Sequence, residues 1–477
     1  MSTSPAPPQL ERHFGLLHSV ALNVSQIVGA GVFVTIPLMI RELPGPYAML
    51  GWLAAGALML VDGMIWSELA AAIPGSGGSY QYLLESYGRE RWGRLMAFLF
   101  VWQFLISGPL EIASGFIALA QFAGSLPWLS EQNAVWFNWE FWPDASLGIT
   151  VNPARLIAFG LGMLAIFLLY RRMATLGRWT IAIVVGVLGV IIWILLDGFS
   201  WGDSATLMDS AVLAQPIPDG FAGRLGKVMV LAMYSYLGYY NVCWIGDEVR
   251  DPGRTIPRAI LLSSVLVLVL FVAVHAALLS VVPWAEVLPM TDDDSLVAEF
   301  MTRLHGRKVA AVATLLLVWS CFGSAFAGLL GYSRIPYGAA RNGHFFAGMA
   351  QVHPRHHIPH VSLLFIGGLT LFWSFFDLQS VIDILIVTRI LEQFIGQIVG
   401  VILLRKLQPK RPRPYRIWLY PLPCVLALGG WVYMYVTQRP LYMGLGLVTL
   451  LAGVVVFLFW SARTKTWPFA RSSQTGP

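Results

Sequence analysis

Charged side chains inside long apolar segments are the first candidates for functional residues in this sequence. Asp62 and Glu111 each lie near the middle of such a segment, and Glu68 lies nearer to the end of the first one. A carboxylate at the centre of a membrane helix costs about 2.5–3.5 kcal/mol on insertion scales, so each needs a buried partner or a function. Asp62 and Glu111 are therefore candidates for reading a cationic group or carrying a proton. We expect Pro109 to open the helix locally beside Glu111, for which pairing with a buried arginine is the alternative role.

A stripe of polar residues crosses another apolar segment, in the last quarter of the chain. It consists of Arg389, Glu392, Gln393 and Gln397, whose spacings of three and four residues place them on one face of a helix. Such a face turns toward the protein interior or an aqueous path rather than toward lipid. We predict that Arg389 and Glu392 form a neutralising ion pair and that the stripe contributes to ligand specificity.

Two apolar segments are interrupted by glycine. IVGAGVF (27–33) places Gly29 and Gly31 in the middle of one, and MYSYLGYYN (233–241) places Gly238 among polar and aromatic residues of another. Each glycine weakens a helix by about 1 kcal/mol relative to alanine. Amides exposed at an unwound point suit a carboxylate, whereas exposed carbonyls suit an ammonium group. The paired breaks therefore predict a site for an α-amino acid, and tight helix packing is the alternative for the first two glycines.

Composition indicates which elements carry these residues. The 477-residue chain is 57% hydrophobic and 12% charged, whereas soluble proteins carry roughly 25% charged residues. Because a membrane helix needs about 20 mostly apolar residues, the sequence predicts an all-α polytopic membrane protein with twelve transmembrane helices. The predicted spans are 16–38, 46–72, 94–123, 153–170, 179–197, 225–246, 258–282, 309–333, 361–376, 380–404, 417–437 and 440–460. The interrupted segments are the first and the sixth, which are corresponding members of two halves of five spans.

Basic residues predict the orientation of the chain. Most of the 31 Lys and Arg residues fall on the side that holds both ends, which is therefore predicted to be cytoplasmic. Residues 1–15 and 462–477 are predicted to be cytoplasmic tails of a single membrane domain, 16–461, in the plasma or bacterial inner membrane. The N-terminal tail lacks the features of a signal peptide, so the first span is expected to be retained. The basic run 406–416 is expected to set topology and to meet anionic lipid.

Five motifs make the sequence similar to the amino acid–polyamine–organocation permease superfamily over nearly its whole length. They are QIVGAGVF (26–33), SELAAAIPGSGGSYQYLLESYG (67–88), GDEVRDPGRTIPRAI (246–260), GYSRIPYGAARNGHF (331–345) and HPRHHIPHVSLL (353–364). The resemblance implies a five-plus-five inverted repeat, with one repeat at about 16–197 and the other at about 225–404. It also implies two added C-terminal helices at about 417–460 and a mechanism of alternating access.

The resemblance implies backbone roles at the first break. Ile27 matches a position whose carbonyl binds the substrate amine. Ala30 and Gly31 match positions whose amides bind the substrate carboxylate, and Gly29 lies between these groups. Because the roles belong to the backbone, the side chains here are free to be small and apolar.

The sixth span matches the family at three positions and departs from it at a fourth. Tyr234 matches the gating aromatic residue that covers the bound substrate. Ser235 and Leu237, beside Gly238, match positions whose carbonyls complete the amine site. Tyr240 stands where the family often has an acidic residue, so it is a candidate for substrate specificity.

Coupling is less clear from the resemblance. Val187 stands near the place where proton-coupled bacterial members keep a lysine, which puts lysine-based proton coupling in doubt. Ser324 in the eighth span matches a small hydroxyl that often faces the first break, where a role in sodium or proton binding is one reading. We expect the hydroxyl instead to bond to its own helix.

These features indicate a secondary active amino-acid transporter that works by proton-coupled symport or by exchange, with cationic amino acids among the candidate substrates. A polyamine or organic-amine transporter is the alternative, although a polyamine has no carboxylate for the amides near Gly31. A sensor that binds without transport is a further alternative. We expect no enzyme activity, no cofactor, no metal at the histidines of 353–360 and no nucleic-acid partner. The loop 124–152 contains no cysteine, so we expect no disulfide-linked heavy chain.

Overall fold

The computed structural model describes residues 12–469, apart from Ala30, Ser76, 143–146, 171–175, 204–205, 207–218, 292–293 and His357. The described chain is predominantly helical, and a two-stranded antiparallel hairpin lies between the third and fourth spans. Ala30, one of the predicted substrate-binding residues, lies outside the described residues, as does His357 of the histidine-rich loop.

Long apolar helices lie where the sequence predicts membrane spans. Their bounds are Leu16–Ile27, Gly31–Glu42, Ala48–Ala72, Trp92–Gly124, Pro153–Tyr170, Leu176–Trp201, Phe221–Tyr236, Pro252–Leu279, Arg307–Tyr332, His360–Trp373, Leu378–Arg389, Gly396–Leu407, Leu422–Val436 and Pro440–Thr464. Within the described residues, eight helical segments are long and apolar enough to cross a membrane, or nine if the two halves of the first span count as one. The chain is therefore an all-α polytopic membrane protein, and the ordinals of the predicted spans serve as names for its segments.

The first and sixth spans are broken where the glycines predict. In the first span, one helix ends at Ile27 and the next begins at Gly31, with an angle of 51° between them. In the sixth span the α-helix ends at Tyr236, and a 3-10 helix follows at Asn241–Glu248. Gly238, between these two helices, has a φ of +106°, a value that favours glycine because it has no Cβ.

The tenth and third spans differ from what the sequence predicts. The tenth contains a π-helical turn at Ile390–Ile395, between two α-helical parts. Such a turn inserts an extra residue into the helix and is frequent at functional sites. The expected opening of the third span at Pro109 is wrong, because the helix Trp92–Gly124 runs through it without interruption.

Short elements between the spans were not predicted. Their bounds are Gly78–Ser86, Pro127–Ser130, Trp284–Val287, Leu296–His305 and Arg334–Arg341 for helices and Phe137–Trp142 and Leu147–Val151 for strands. The second strand contacts the connection between the ninth and tenth spans, where the Thr150 amide donates to the Phe375 carbonyl at 2.9 Å. Two of these helices, Gly78–Ser86 and Arg334–Arg341, lie on the side predicted to be cytoplasmic.

Burial separates interior spans from peripheral ones. In the most apolar stretch of each span, 83% of residues are buried in the tenth and 72% in the third, but only 22% in the twelfth. Peripheral spans instead expose large apolar side chains such as Phe167 and Leu451, which is the pattern of a lipid-facing surface. Polar side chains of the third and tenth spans are therefore held inside the protein, next to the two broken helices.

Candidate functional site

The two helix breaks lie against each other. A Cβ atom added at Gly31 would lie 3.5 Å from Tyr234 Cε1 and 3.8 Å from Ser235 Oγ. A Cβ atom added at Gly238 would lie 3.5 Å from the backbone carbonyl carbon of Gln26. Each break therefore lies within van der Waals distance of the other span.

Hydrogen bonds join the two spans on both sides of this contact. Asn23, which is fully buried, donates from Nδ2 to the Tyr239 carbonyl at 2.7 Å and accepts at Oδ1 from the Val242 amide at 2.9 Å. Beyond the break, Thr35 Oγ1 and Ser235 Oγ lie 3.0 Å apart. The unwound segment of the sixth span thus obtains from Asn23 the hydrogen bonds that a continuous helix would have supplied.

The helix ends at the breaks carry opposite partial charges. The helix Gly31–Glu42 begins at the first break, so its first amides have no acceptor within the helix. The helices Leu16–Ile27 and Phe221–Tyr236 end at the breaks, so their last carbonyls have no donor within the helix. The positive end of one helix and the negative ends of two others can therefore hold the carboxylate and the ammonium of one molecule.

A cavity of about 550 Å³ opens beside the breaks. Leu237 and Gln26 of the broken spans line it, together with Glu111 of the third span and Ser324 of the eighth. From there it continues to the segment 338–342 on the side predicted to be cytoplasmic. Its volume falls within the range of sites for small molecules.

Of two further predicted residues, Ser324 of the eighth span lines this cavity, whereas Tyr234 of the sixth is not part of its described lining. Tyr234 Oη donates to Ser114 Oγ at 2.7 Å, which joins the sixth span to the third on the side of the break away from the loop 338–342. Ser324 Oγ lies 3.8 Å from the position of a Cβ on Gly29, so the hydroxyl does face the first break. Ser324 is exposed to the cavity and makes no hydrogen bond to any described residue, so the expected bond to its own helix is wrong.

Glu111 and Arg389 form an ion pair at the wall of the cavity. Arg389 Nη2 lies 2.5 Å from Glu111 Oε2, and the two side chains are 2% and 22% exposed. The predicted Arg389–Glu392 pair is wrong: among the described ion pairs, Arg389 has Glu111 as its partner, because the third span packs against the tenth. Arg389 Nη1 also donates to Tyr240 Oη at 3.5 Å, and Tyr332 lines the cavity near the pair.

The other members of the polar stripe are buried, as predicted. Glu392 and Gln393 are each 2% exposed and lie in the π-helical turn. Gln397 is 1% exposed and donates from Nε2 to Ser79 Oγ at 3.3 Å and to the Gln393 carbonyl at 2.9 Å. The stripe therefore faces the protein interior between the tenth span and its neighbours.

Asp62 is separated from the cavity, whose described lining does not include it. Its side chain is 1% exposed and accepts hydrogen bonds from Trp66 Nε1 at 2.9 Å, Tyr239 Oη at 2.5 Å and Trp431 Nε1 at 3.1 Å. Asp62 therefore contacts the sixth-span break from behind rather than from the cavity.

The mouth of the cavity near the segment 338–342 contains residues that sequence reasoning missed. Tyr80 and Asn342 line it, and Tyr80 Oη lies 2.5 Å from His344 Nδ1. Burial, together with the positive charges of Arg94 and Arg89, lowers the pKa of His344 below its ordinary value. In the neutral imidazole, Nδ1 either accepts from the Tyr80 hydroxyl or donates to it, depending on the tautomer.

Part of the basic run binds protein rather than facing lipid. Glu68, fully buried, accepts two hydrogen bonds of 2.7 and 2.5 Å from Arg405, the residue before the run, and one of 2.8 Å from the Ile417 amide. Within the run, Arg413 Nε lies 3.7 Å from Glu68 Oε1. Arg411 Nε donates to the Ala72 carbonyl at 2.8 Å. The expectation that the whole run meets lipid is therefore corrected. The members that remain exposed are Lys406, Lys410 and Arg416.

Signals for the missed residues exist in the sequence. Asn23 is the only asparagine in the first predicted span and precedes the break by one helical turn. This position suits a side chain that hydrogen-bonds to the backbone of a neighbouring segment. Tyr80 and Asn342 lie within two of the motifs quoted above, 67–88 and 331–345. Their meeting at one mouth depends on tertiary structure and could not be read from the chain.

Comparison with known proteins assigns the family. The family model described as amino acid permease matches residues 14–470. The human cystine/glutamate transporter is 27% identical, with 96% of this chain and 87% of that protein covered. A serine/threonine exchanger of Bacillus subtilis is 25% identical, with 94% of this chain and 96% of that protein covered. A branched-chain amino acid permease of Bacillus subtilis is 24% identical, with 95% of this chain and 94% of that protein covered. The chain therefore belongs to the amino acid permease family, a part of the amino acid–polyamine–organocation superfamily.

Proposed function

We propose that this protein is a secondary active transporter of neutral α-amino acids and that it binds them where the first and sixth spans are broken. The observation that carries the proposal is the cavity of about 550 Å³, which is lined by Leu237 in the sixth-span break and by Gln26, just before the first-span break. The names of the three relatives add support, because each refers to amino acids. Their side chains differ, so the relatives favour the α-amino acid group as the common feature that is recognised.

Backbone groups at the breaks would bind the two charges of the substrate. The amides at Gly31 and, by the family resemblance, at Ala30 would bind its carboxylate. The carbonyls of Ile27, Ser235 and Leu237 would bind its ammonium group. Recognition by backbone explains why Ile27 and Leu237, each 5% exposed, need no polar side chain.

The ion pair at the cavity wall favours a neutral substrate side chain. Glu111 is already neutralised by Arg389 at 2.5 Å, so it is not the unpaired carboxylate on which a preference for cationic substrates depends. A cationic side chain would also have to approach the Arg389 guanidinium, which disfavours it electrostatically. A polyamine would in addition leave the amides at Gly31 without a carboxylate. Tyr332, which lines the cavity beside the pair, would contact the side chain of the substrate.

The one-sided cavity corresponds to an inward-facing state of an alternating-access cycle. The Tyr234–Ser114 hydrogen bond closes the path on the opposite side of the break. In this proposal twelve spans form a five-plus-five inverted repeat with two added helices, both tails are cytoplasmic and the protein lies in the cell membrane. Exchange or proton symport supplies the driving force. Glu111 is the candidate proton carrier, since its protonation would dissolve the pair with Arg389.

A stability screen of the purified protein tests the proposal. A ligand at 100 times its Kd raises stability by about 2.7 kcal/mol, so binding is visible as a rise in the unfolding temperature. We expect L-serine or L-leucine to stabilise the protein, and L-leucine methyl ester, ethanolamine and putrescine to leave it unchanged. Stabilisation by putrescine alone would favour the polyamine alternative, and no response to any amino acid would refute the proposal.

A pair of glycine variants locates the site in the same screen. Gly31→Leu fills the space between the spans, because a Cβ there already lies 3.5 Å from Tyr234. Gly160→Leu is the matched control, since a Cβ at Gly160 meets no atom within 4 Å. We expect the first variant to lose the response to amino acids and the second to keep it.

A further inference from the structure

Asp62 is a buried carboxylate that the proposed function does not use. Its three hydrogen-bond donors are Trp66 Nε1, Tyr239 Oη and Trp431 Nε1, at 2.9, 2.5 and 3.1 Å. No described ion pair includes Asp62, so these neutral donors alone stabilise the buried group. A buried carboxyl group depends strongly on such donors, because each one replaces water that burial has removed.

The donors connect three different spans. Trp66 belongs to the second span with Asp62 itself, Tyr239 lies in the sixth-span break beside Gly238, and Trp431 belongs to the eleventh span. On its other side Tyr239 is held by Asn23, which donates to its carbonyl at 2.7 Å. Tyr239 is therefore fixed through its hydroxyl to the second and eleventh spans and through its backbone to the first.

The same two indoles also stack on residues next to the polar stripe. Trp66 stacks on Tyr240 with ring centroids 4.1 Å apart and planes 6° apart. Trp431 stacks on Phe394 of the π-helical turn, with centroids 3.8 Å apart and planes 10° apart. Tyr240 in turn accepts the hydrogen bond from Arg389. A displacement of either indole would thus reach both the break and the ion pair at the cavity wall.

We propose that Asp62 is a positioning residue that, through Tyr239 and Trp431, locks the sixth-span break to the eleventh span. A helix outside the ten spans of the repeat then sets the geometry of the site. This inference rests on the proposed function for what the break binds, but the structural lock exists whether or not that function is correct. It assigns Asp62 no contact with substrate and no transported proton.

Substitutions at Asp62 and Trp431 distinguish the hydrogen bonds of the lock from packing contacts. In Asp62→Asn, the amide oxygen can replace Oδ2 and keep the donors Trp66 and Tyr239. The amide nitrogen then takes the place of Oδ1, where its N–H groups face the N–H of Trp431 at about the 3.1 Å of the native contact. Trp431→Phe retains an aromatic ring on Phe394 and removes the donor together with part of the buried indole. In the double variant, position 431 has no N–H group, so the amide nitrogen introduced at position 62 no longer faces another donor.

Hydrogen–deuterium exchange of the break measures the lock directly in the full-length protein in detergent. We expect Asp62→Asn to raise the exchange of the peptide 237–243 at least about threefold, with exchange in the third and twelfth spans unchanged. Trp431→Phe should raise it less, and Asp62→Asn with Trp431→Phe should fall below Asp62→Asn alone. Trp102→Phe is the matched control, because it removes an indole donor that binds the Thr449 carbonyl at 2.9 Å, away from the break.

Each other outcome overturns the proposal. Unchanged exchange at 237–243 would show that Asp62 does not hold the break. Exchange that rises equally in all spans would show a general packing role, and an additive double variant would show that Asp62 and Trp431 act separately. Binding of L-serine and L-leucine, measured in parallel, keeps the two proposals apart: a wild-type protein that binds neither refutes the proposed function but leaves the exchange result interpretable.

Discussion

The ion pair between Glu111 and Arg389 allows the sharpest prediction about stability. Removing one member of a buried pair costs about 3–5 kcal/mol, because it leaves the other charge uncompensated in a medium of low polarity. The two members are not equally buried, with Arg389 2% and Glu111 22% exposed. Glu111→Gln leaves Arg389, the more deeply buried charge, without its partner, so its cost should approach the full value of about 3–5 kcal/mol. Arg389→Gln leaves Glu111, which water in the cavity can reach, so its cost should be smaller, about 1–3 kcal/mol.

Chemical unfolding in detergent micelles measures these costs. The double variant Glu111→Gln with Arg389→Gln should be more stable than Glu111→Gln alone, because no unpaired charge remains. The control is Arg254→Gln, whose pair with Asp251 spans 4.0 Å with side chains 72% and 66% exposed, and which should cost less than about 1 kcal/mol. If Glu111→Gln costs no more than this control, Arg389 is compensated by another group, and the role assigned to the pair is refuted.

Three further predictions concern the break in the sixth span, the mouth of the cavity at His344 and the pair of Glu68 with Arg405. Gly238→Ala forces a side chain into a φ of +106°; it should cost about 1–2 kcal/mol and weaken amino-acid binding, measured by the thermal-shift screen. The lowered pKa of His344 means that the unfolded chain takes up the proton first. Wild-type unfolding temperature should therefore fall as pH drops below about 6.5, and His344→Gln should flatten that part of the profile. Glu68→Gln removes the negative charge and one of the two oxygens that accept from Arg405 and should cost about 1–3 kcal/mol in chemical unfolding, whereas an unchanged value would show that Arg405 finds another acceptor.

Features that depend on one segment of chain were predictable from sequence. The interruptions at Gly29–Gly31 and Gly238 follow from the backbone preference of glycine, and the structure breaks both helices there. The buried face of the stripe from Arg389 to Gln397 follows from helical periodicity and the cost of polar groups in lipid. Membrane spans follow from apolar length, and within the described residues eight or nine of the twelve predicted spans coincide with helices long enough to cross a membrane.

Features that depend on contacts between segments were not predictable. Periodicity suggested Glu392 as the partner of Arg389, but the packing of the third span brings Glu111 closer. The π-helical turn at Ile390–Ile395 has no glycine or proline at its start from which it could be predicted. Asp62 appeared to be a ligand for a cationic group because its neutral donors, Tyr239 and Trp431, lie about 180 and 370 residues away in the chain.

Counterflow in proteoliposomes tests the central claim most directly. Vesicles containing the purified protein and loaded with unlabelled L-serine or L-leucine are diluted into a trace of the same labelled amino acid. The account predicts transient accumulation of label that disappears in Gly31→Leu and persists in Gly160→Leu. Binding without accumulation would identify a sensor, and accumulation that survives Gly31→Leu would contradict a substrate site between the broken first and sixth spans.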